Sequence, residues 1–300
     1  MTPKLLSILD GELLKVRKRW LPYLLLFVMI GGAVFTIWLV GYGSWVQERN
    51  DAEYNFGRDA LRTFAFPWSF ASLLDVGQFW GGLLVGVLAA SVVATEHNWG
   101  TVRQALIRGR SRVSYLTVKL AGISILAAVI MLLALAVGIG FSLMATSIAD
   151  QPVTLDVPDG PSAFDIVVMV LRAGLAILPY GLLAFCLTVI GRSTTLGVVG
   201  IVLYMVALEP ILIAVLGSLG GPAPDIRAFL LGHNVNALVA ANRIGGGEYY
   251  SFAFRELPNG ADLPDPWVAA FVIVLYCAIF TAIAYAVFQR RDLGVESGGS

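Results

Sequence analysis

Glu96-His97-Asn98-Trp99-Gly100-Thr101-Val102-Arg103-Gln104-Ala105-Leu106-Ile107-Arg108-Gly109-Arg110-Ser111-Arg112 is a short polar, basic island between two long apolar runs. Each flanking run exceeds the roughly 20 residues a helix needs to cross a hydrocarbon core of about 30 Å. An island of this kind is a loop at a membrane face, and the runs beside it are spans. The rest of the 300-residue chain agrees: 58% of it is hydrophobic, 13% is charged and the mean hydropathy is +0.80. A soluble domain carries about 25% charged residues. The expected fold class is an all-α polytopic membrane protein, because a β-barrel would alternate in segments of about 10 residues.

Six spans are predicted, at about 20–46, 71–95, 113–148, 165–190, 195–217 and 267–288. They form a single domain with both termini on one side. Placing the termini and the Glu96–Arg112 island inside leaves 13 Lys and Arg on the inner segments and six on the outer ones, with Arg172 inside a span. The positive-inside rule therefore puts both termini in the cytosol. The first 19 residues are mixed and basic, and the run behind them is too long for a signal h-region, so no cleavable signal peptide is expected. Thr2 with Pro3 suits a helix start, and Leu5, Leu6, Leu9 and Leu13 recur at helical spacing beside Lys4, Lys15 and Lys18. That pattern predicts an interfacial amphipathic helix over 1–19.

The island itself is punctuated. Thr101 suits the cap of a short helix ending near Ile107, Gly109 its stop, and Ser111 the cap of the next span. The loop Gly191-Arg192-Ser193-Thr194 is minimal, so the fourth and fifth spans form a tight hairpin. The third apolar run, about 35 residues, is too long for one upright crossing and must tilt or project. The outer 218–266 segment carries an amphipathic stretch near Ile226–Ala241 and reads as an outer cap or re-entrant element. Gly77, Gly81, Gly82 and Gly86 give two G-x-x-x-G spacings in the second span, which permit close helix approach.

Chemistry is sparse. There is no Walker A pattern, no G-x-S-x-G and no H-E-x-x-H. Cys186 and Cys277 fall inside spans, and His97 and His233 lie far apart, so neither a disulfide framework nor a metal site is expected. Asp150, Asp156, Asp159 and Asp165 read as a solvated acidic loop. Most tryptophans, Trp20, Trp45, Trp68 and Trp267 among them, fall near span ends as an aromatic belt.

Three intramembrane residues stand out: Asp75, Arg172 and Glu209. A charge at mid-bilayer costs about 2.5–3.5 kcal/mol on insertion scales, so such residues pair or stay wet. Counting a rise of about 1.5 Å per residue puts Arg172 and Glu209 both about 10 Å below the outer surface. The expectation is an Arg172–Glu209 ion pair across the hairpin, with Asp75 joining from the second span. Pro210 is expected to kink the fifth span and open a wet cavity there.

The E-x-x-x-G-T-x-R pattern at Glu96, Gly100, Thr101 and Arg103, with Gly109-Arg110-Ser111-Arg112 behind it, resembles the first cytosolic loop of ABC-2-type permeases. The closing Phe288-Gln289-Arg290-Arg291-Asp292-Leu293 is similar to the F-x-R-R-D-[LIV] ending common in that family. The resemblance implies a type V exporter fold: two permease protomers, identical or not, around a central path, in a bacterial or archaeal plasma (inner) membrane. It implies an ATPase-coupling role for Glu96, Trp99, Gly100, Thr101, Arg103, Leu106, Ile107, Arg108, Arg110 and Arg112. Arginines of this loop would meet acidic groups of the ATPase or acidic membrane lipids. The chain itself would hold no cofactor and catalyse no reaction, with ATP and Mg bound on the partner ABC ATPase subunit. No nucleic-acid partner is expected.

Two rivals stay open. One is a gradient-driven secondary transporter or channel using Glu209 or Asp75 as its ion or proton site, against which the absence of a visible internal repeat counts. The other is a membrane enzyme or scaffold, for which only the Arg172–Glu209–Asp75 set offers convergent polar groups.

Overall fold

The structure is a computed structural model that describes residues 10–11, 14–50, 65–98, 107, 111–151, 153–154, 160–219, 226–242 and 263–290. All regular structure among these residues is helical. In chain order the elements are α1 (Leu21–Asn50), α2 (Ser69–Asn98), α3 (Arg112–Ile148), α4 (Ala163–Gly191), α5 (Thr194–Leu203), a π-helical turn (Tyr204–Leu208), α6 (Glu209–Ser218), a 3₁₀ turn (Arg227–Phe229), α7 (Leu231–Ala240) and α8 (Pro266–Arg290).

Among the described residues, five stretches are long and apolar enough to cross a membrane: Ser69–Thr95, Arg112–Ile148, Ala163–Gly191, Thr194–Leu216 and Pro266–Arg290. They match the second to sixth expected spans. Of the first, α1 is a 30-residue helix, and its apolar stretch is described over Leu21–Gly32. The long third run is one unbroken helix of 37 residues. At about 1.5 Å per residue that is about 55 Å, well beyond one upright crossing. Its start is set by Ser111, whose hydroxyl accepts the Ser114 N–H at 3.1 Å. The α4–α5 hairpin turns through Arg192, held in the left-handed region (φ 51°), directly before Ser193 and the first residue of α5. Of the acidic residues of the 149–165 stretch, Asp156 and Asp159 lie outside the described residues, and Asp165 is half-buried. It closes a capping box with Ser162 at the start of α4.

The bundle is built around α2 and α4. Their apolar windows are 67% and 61% buried, against 17% for α3, α5–α6 and α8. The outer helices therefore turn large apolar side chains such as Leu132, Leu203, Ile211 and Phe271 outward. Patches of that extent suit hydrocarbon, not water.

Glycines set the spacing of the central pair. A Cβ at Gly81 would lie 2.8 Å from Ile177, one at Gly82 2.8 Å from Tyr180, and one at Gly181 2.7 Å from Val85. Gly86 is similarly tight, 3.0 Å from Ile201 of α5, whereas Gly77 faces open space. Three of the four glycines in the sequence motif thus act as contact points. Trp80 departs from the aromatic-belt reading: it lies inside α2, and a Cβ at Gly32 of α1 would meet its ring at 3.1 Å.

Tyr180 is 1% exposed and has no free side to rotate into. Gly82→Val is therefore expected to destabilise the bundle by about 1–3 kcal/mol through overpacking. Gly77→Val is expected to be close to neutral. A lower melting temperature in detergent for the first and not the second checks this.

Candidate functional site

Two places in the bundle gather polar groups, at opposite ends of α3 and α4. The first is the end that carries Arg112. There Arg112 Nη1 donates to the Gln289 carbonyl at 2.6 Å and lies 3.4 Å from that of Phe288. The last carbonyls of a helix have no intrahelical donor, and a cation there also meets the negative end of the helix dipole. Beside this contact the Tyr115 and Phe288 rings stack, 5.6 Å apart and 10° from parallel. Thr117 and Tyr285 share a hydroxyl–hydroxyl bond of 2.7 Å. Val16, Val92 and Val118 close around Lys119, which is 4% exposed and 5.9 Å from the Tyr115 ring centroid. The start of α3 is thus fastened to the end of α8, with α2 and the segment before α1 packed alongside.

Among the expected coupling residues, Arg112 is placed as above, and Ile107 is helical and 75% exposed. Trp99, Gly100, Thr101, Arg103, Leu106, Arg108 and Arg110 lie outside the described residues. So does the Glu96 side chain, though the backbone of α2 runs on past it to Asn98. The interfacial helix expected over 1–19 falls mostly outside them too, with Leu14–Arg17 helical.

The second place is built around α7. This ten-residue helix has its first nine residues, Leu231–Val239, buried. It packs on α4 and α8 and lies next to the middle of α5. The re-entrant expectation for 218–266 thus has a concrete form: α7 is inserted into the bundle, not capped over it. Its ends then need internal partners. No side chain of its own caps its start. Instead Glu209, 2% exposed, reaches in from α6 and accepts the Gly232 N–H. A Cβ at residue 232 would sit 2.6 Å from the carboxylate carbon, so any side chain there would push the carboxylate aside. Asn234 Nδ2 donates to the carbonyls of Ala228 at 2.7 Å and Leu230 at 2.8 Å, satisfying the 3₁₀ turn that leads in. Tyr276 of α8 donates to the Phe229 carbonyl at 2.9 Å.

At the other end, Arg172 Nη1 of α4 donates to the Ala241 carbonyl at 2.8 Å, with Asn242 Oδ1 at 3.5 Å. Asn242 Nδ2 in turn lies 3.4 Å from the Met169 carbonyl. A carboxylate at the start of α7 and a guanidinium at its end are the signs the helix dipole favours.

This corrects the expected ion pair. Arg172 and Glu209 are not brought together, and Asp75, half-buried in the second turn of α2, does not reach Arg172. Each charge is met by one end of a helix that lies between them. At Pro210, where a kink was expected in the fifth span, the helix changes its winding. Pro210 has no N–H and its ring crowds the carbonyl four residues back. The chain widens to a π turn instead, with the Glu209 N–H bonded to the Tyr204 carbonyl.

An apolar cleft of about 90 Å³ opens between α3 and α4, lined by Ser124, Met131, Gly174 and Leu178 among others. No group of His, Cys, Asp or Glu among the described residues could hold a metal. Cys186 and Cys277 are free thiols.

The helices and their outward apolar faces define a multi-pass α-helical membrane protein. The chain belongs to the family described as protein of unknown function (DUF2705), whose profile matches residues 34–294. None of the curated proteins compared with the chain matches it.

If the two charges serve α7 and not each other, exchanging them cannot help. Arg172→Glu and Glu209→Arg are each expected to lower the melting temperature, and the double exchange to lower it at least as far as the worse single change. Recovery in the double variant would restore the direct ion pair.

Proposed function

We propose that this chain is the membrane-spanning permease subunit of an ATP-driven exporter. It would pair with a second permease protomer, identical or not, and couple to separate ATPase subunits. The observation that carries the reading is the Arg112–Gln289 hydrogen bond of 2.6 Å. The two motifs behind the family resemblance lie 177 positions apart at this contact, yet the fold sets them side by side. The Tyr115–Phe288 stack and the Thr117–Tyr285 bond reinforce that joint.

The joint gives a mechanical route. An ATPase docked on the Glu96–Arg112 loop in the cytosol would push on the end of α2 and the start of α3. Because the start of α3 is fastened to the end of α8, the push would reach both ends of the fold's sequence at once. A 37-residue helix carries it across the membrane as a stiff lever. Nucleotide binding can shift the two protomers only as far as the ATPase states differ in their affinity for the two arrangements. The outward apolar faces and the apolar cleft suit an apolar or amphipathic cargo, such as a lipid, drug or peptide.

The test is co-purification with the candidate ATPase in nanodiscs. The wild-type chain is expected to form a stable complex, and Glu96→Ala with Arg103→Ala to lose association or stimulated ATPase activity. Absence of association for a well-folded wild-type chain with any candidate ATPase would reject the exporter reading and direct attention to gradient-driven transport. Arg112→Ala is expected to weaken stimulation by cargo severalfold, since it releases the end of α8 from the start of α3. Equal stimulation in Arg112→Ala and wild type would remove the joint from the route.

A further inference from the structure

The geometry points to α7 as a latched gate: a helix hinged on α4 at its Asn242 end and held shut at its start by the Glu209 carboxylate. The inference does not rest on the exporter reading.

The two ends of α7 are attached differently. The Asn242 end is tied to α4 in both directions, Arg172 donating to Ala241 and Asn242 facing Met169. Asn242 is 1% exposed, and along its length α7 packs chiefly on α4 and α8. A displacement of α4 would carry this end along. The start of α7 is held by Glu209 of the other half of the hairpin, and the turn before it by Tyr276 of α8. Glu209 is the first residue of α6, directly after the π turn. A π turn is a point where the helical ladder can re-form in another register, and such turns recur at functional sites. If α4 and α6 separate, the Glu209–Gly232 contact is the tie that must break, while the Arg172 end travels with its anchor.

What the latch conceals is polar. His233, Asn234 and Asn236 are all 5% exposed or less, and the Asn234 Oδ1 has no hydrogen-bond partner. A buried acceptor of that kind is costly to keep dry. Release of the start of α7 would bring these groups to water and open a polar surface within an otherwise apolar bundle. The carboxylate opposes that release, because its bond to Gly232 lies at the positive end of the helix.

Two cysteine reporters test this in a Cys186→Ser, Cys277→Ser background, with a polar maleimide as the probe. Val235→Cys reports on the part of α7 nearer Glu209, and Val239→Cys on the anchored end; the native residues are 0% and 3% exposed. Glu209→Gln, whose amide fits the Gly232 N–H less well than the carboxylate, is expected to speed labelling at position 235 about tenfold, the order of effect of disrupting one buried hydrogen bond. Labelling at position 239 is expected to stay within about twofold, as hinge motion demands of the anchored end. Gly232→Ala, which displaces the carboxylate without removing its charge, is expected to do the same, and it carries the test if Glu209→Gln does not fold. Equal acceleration at both positions, acceleration at 239 alone, or none at either would overturn the latch.

Discussion

A helix that ends inside a membrane bundle leaves N–H and C=O groups with no water to take them, and this constraint organises the polar chemistry of the fold. The chain meets it with long side chains from other helices. Arg172 of α4 takes the last carbonyl after α7, and the same device recurs at the exposed end of α8, where Arg112 of α3 takes the last carbonyls. Glu209 takes an N–H at the start of α7, and Asn234 takes the carbonyls of the turn before it. For Arg112 and Arg172 a cation meets a helix C-terminus, and for Glu209 a carboxylate meets an N-terminus, so dipole and hydrogen bond agree in sign. These residues are the polar fasteners between elements that the apolar faces alone would leave free to slide.

The apolar contacts set distances where the polar ones set connections. Lipid tails are as apolar as leucine, so burying leucine between helices gains little, and close backbone approach matters more. Gly81, Gly82 and Gly181 bring α2 and α4 together, and Gly197 of α5 would place a Cβ 2.8 Å from Ala90 of α2. The central pair is therefore the rigid part. The helices around it keep one face on this pair and one face outward.

The spans, the hairpin at Gly191–Thr194 and the Ser111 cap were legible in the sequence because each is a local signal: a run length, a minimal loop, a hydroxyl at a helix start. The glycine motif was legible as a possibility, and the structure separates Gly81, Gly82 and Gly86 from the idle Gly77. The partners of Arg172 and Glu209 were not legible. Depth counting compares spans with spans, and α7 belongs to a segment that the count assigned to the outside. Its sequence did carry a signal: Leu231, Val235, Leu238 and Val239 recur at helical spacing with His233, Asn234 and Asn236 among them. That pattern describes a helix with an apolar stripe, but it does not say that the polar side is buried too. Only the carboxylate and guanidinium reaching its two ends make that burial tolerable.

Pro210 links these levels. The buried positions of the fifth span recur every fourth residue: Gly197, Ile201, Met205 and Glu209. On a helix of 3.6 residues per turn such a stripe drifts by about 40° at each step. Three steps would carry Glu209 well off the face that packs inward. A π turn is wider, so it takes back part of that drift, and Pro210 is what makes the narrower turn unfavourable. One proline without an N–H thus keeps a single carboxylate in line with the core face. It is that carboxylate which can stand at the start of α7.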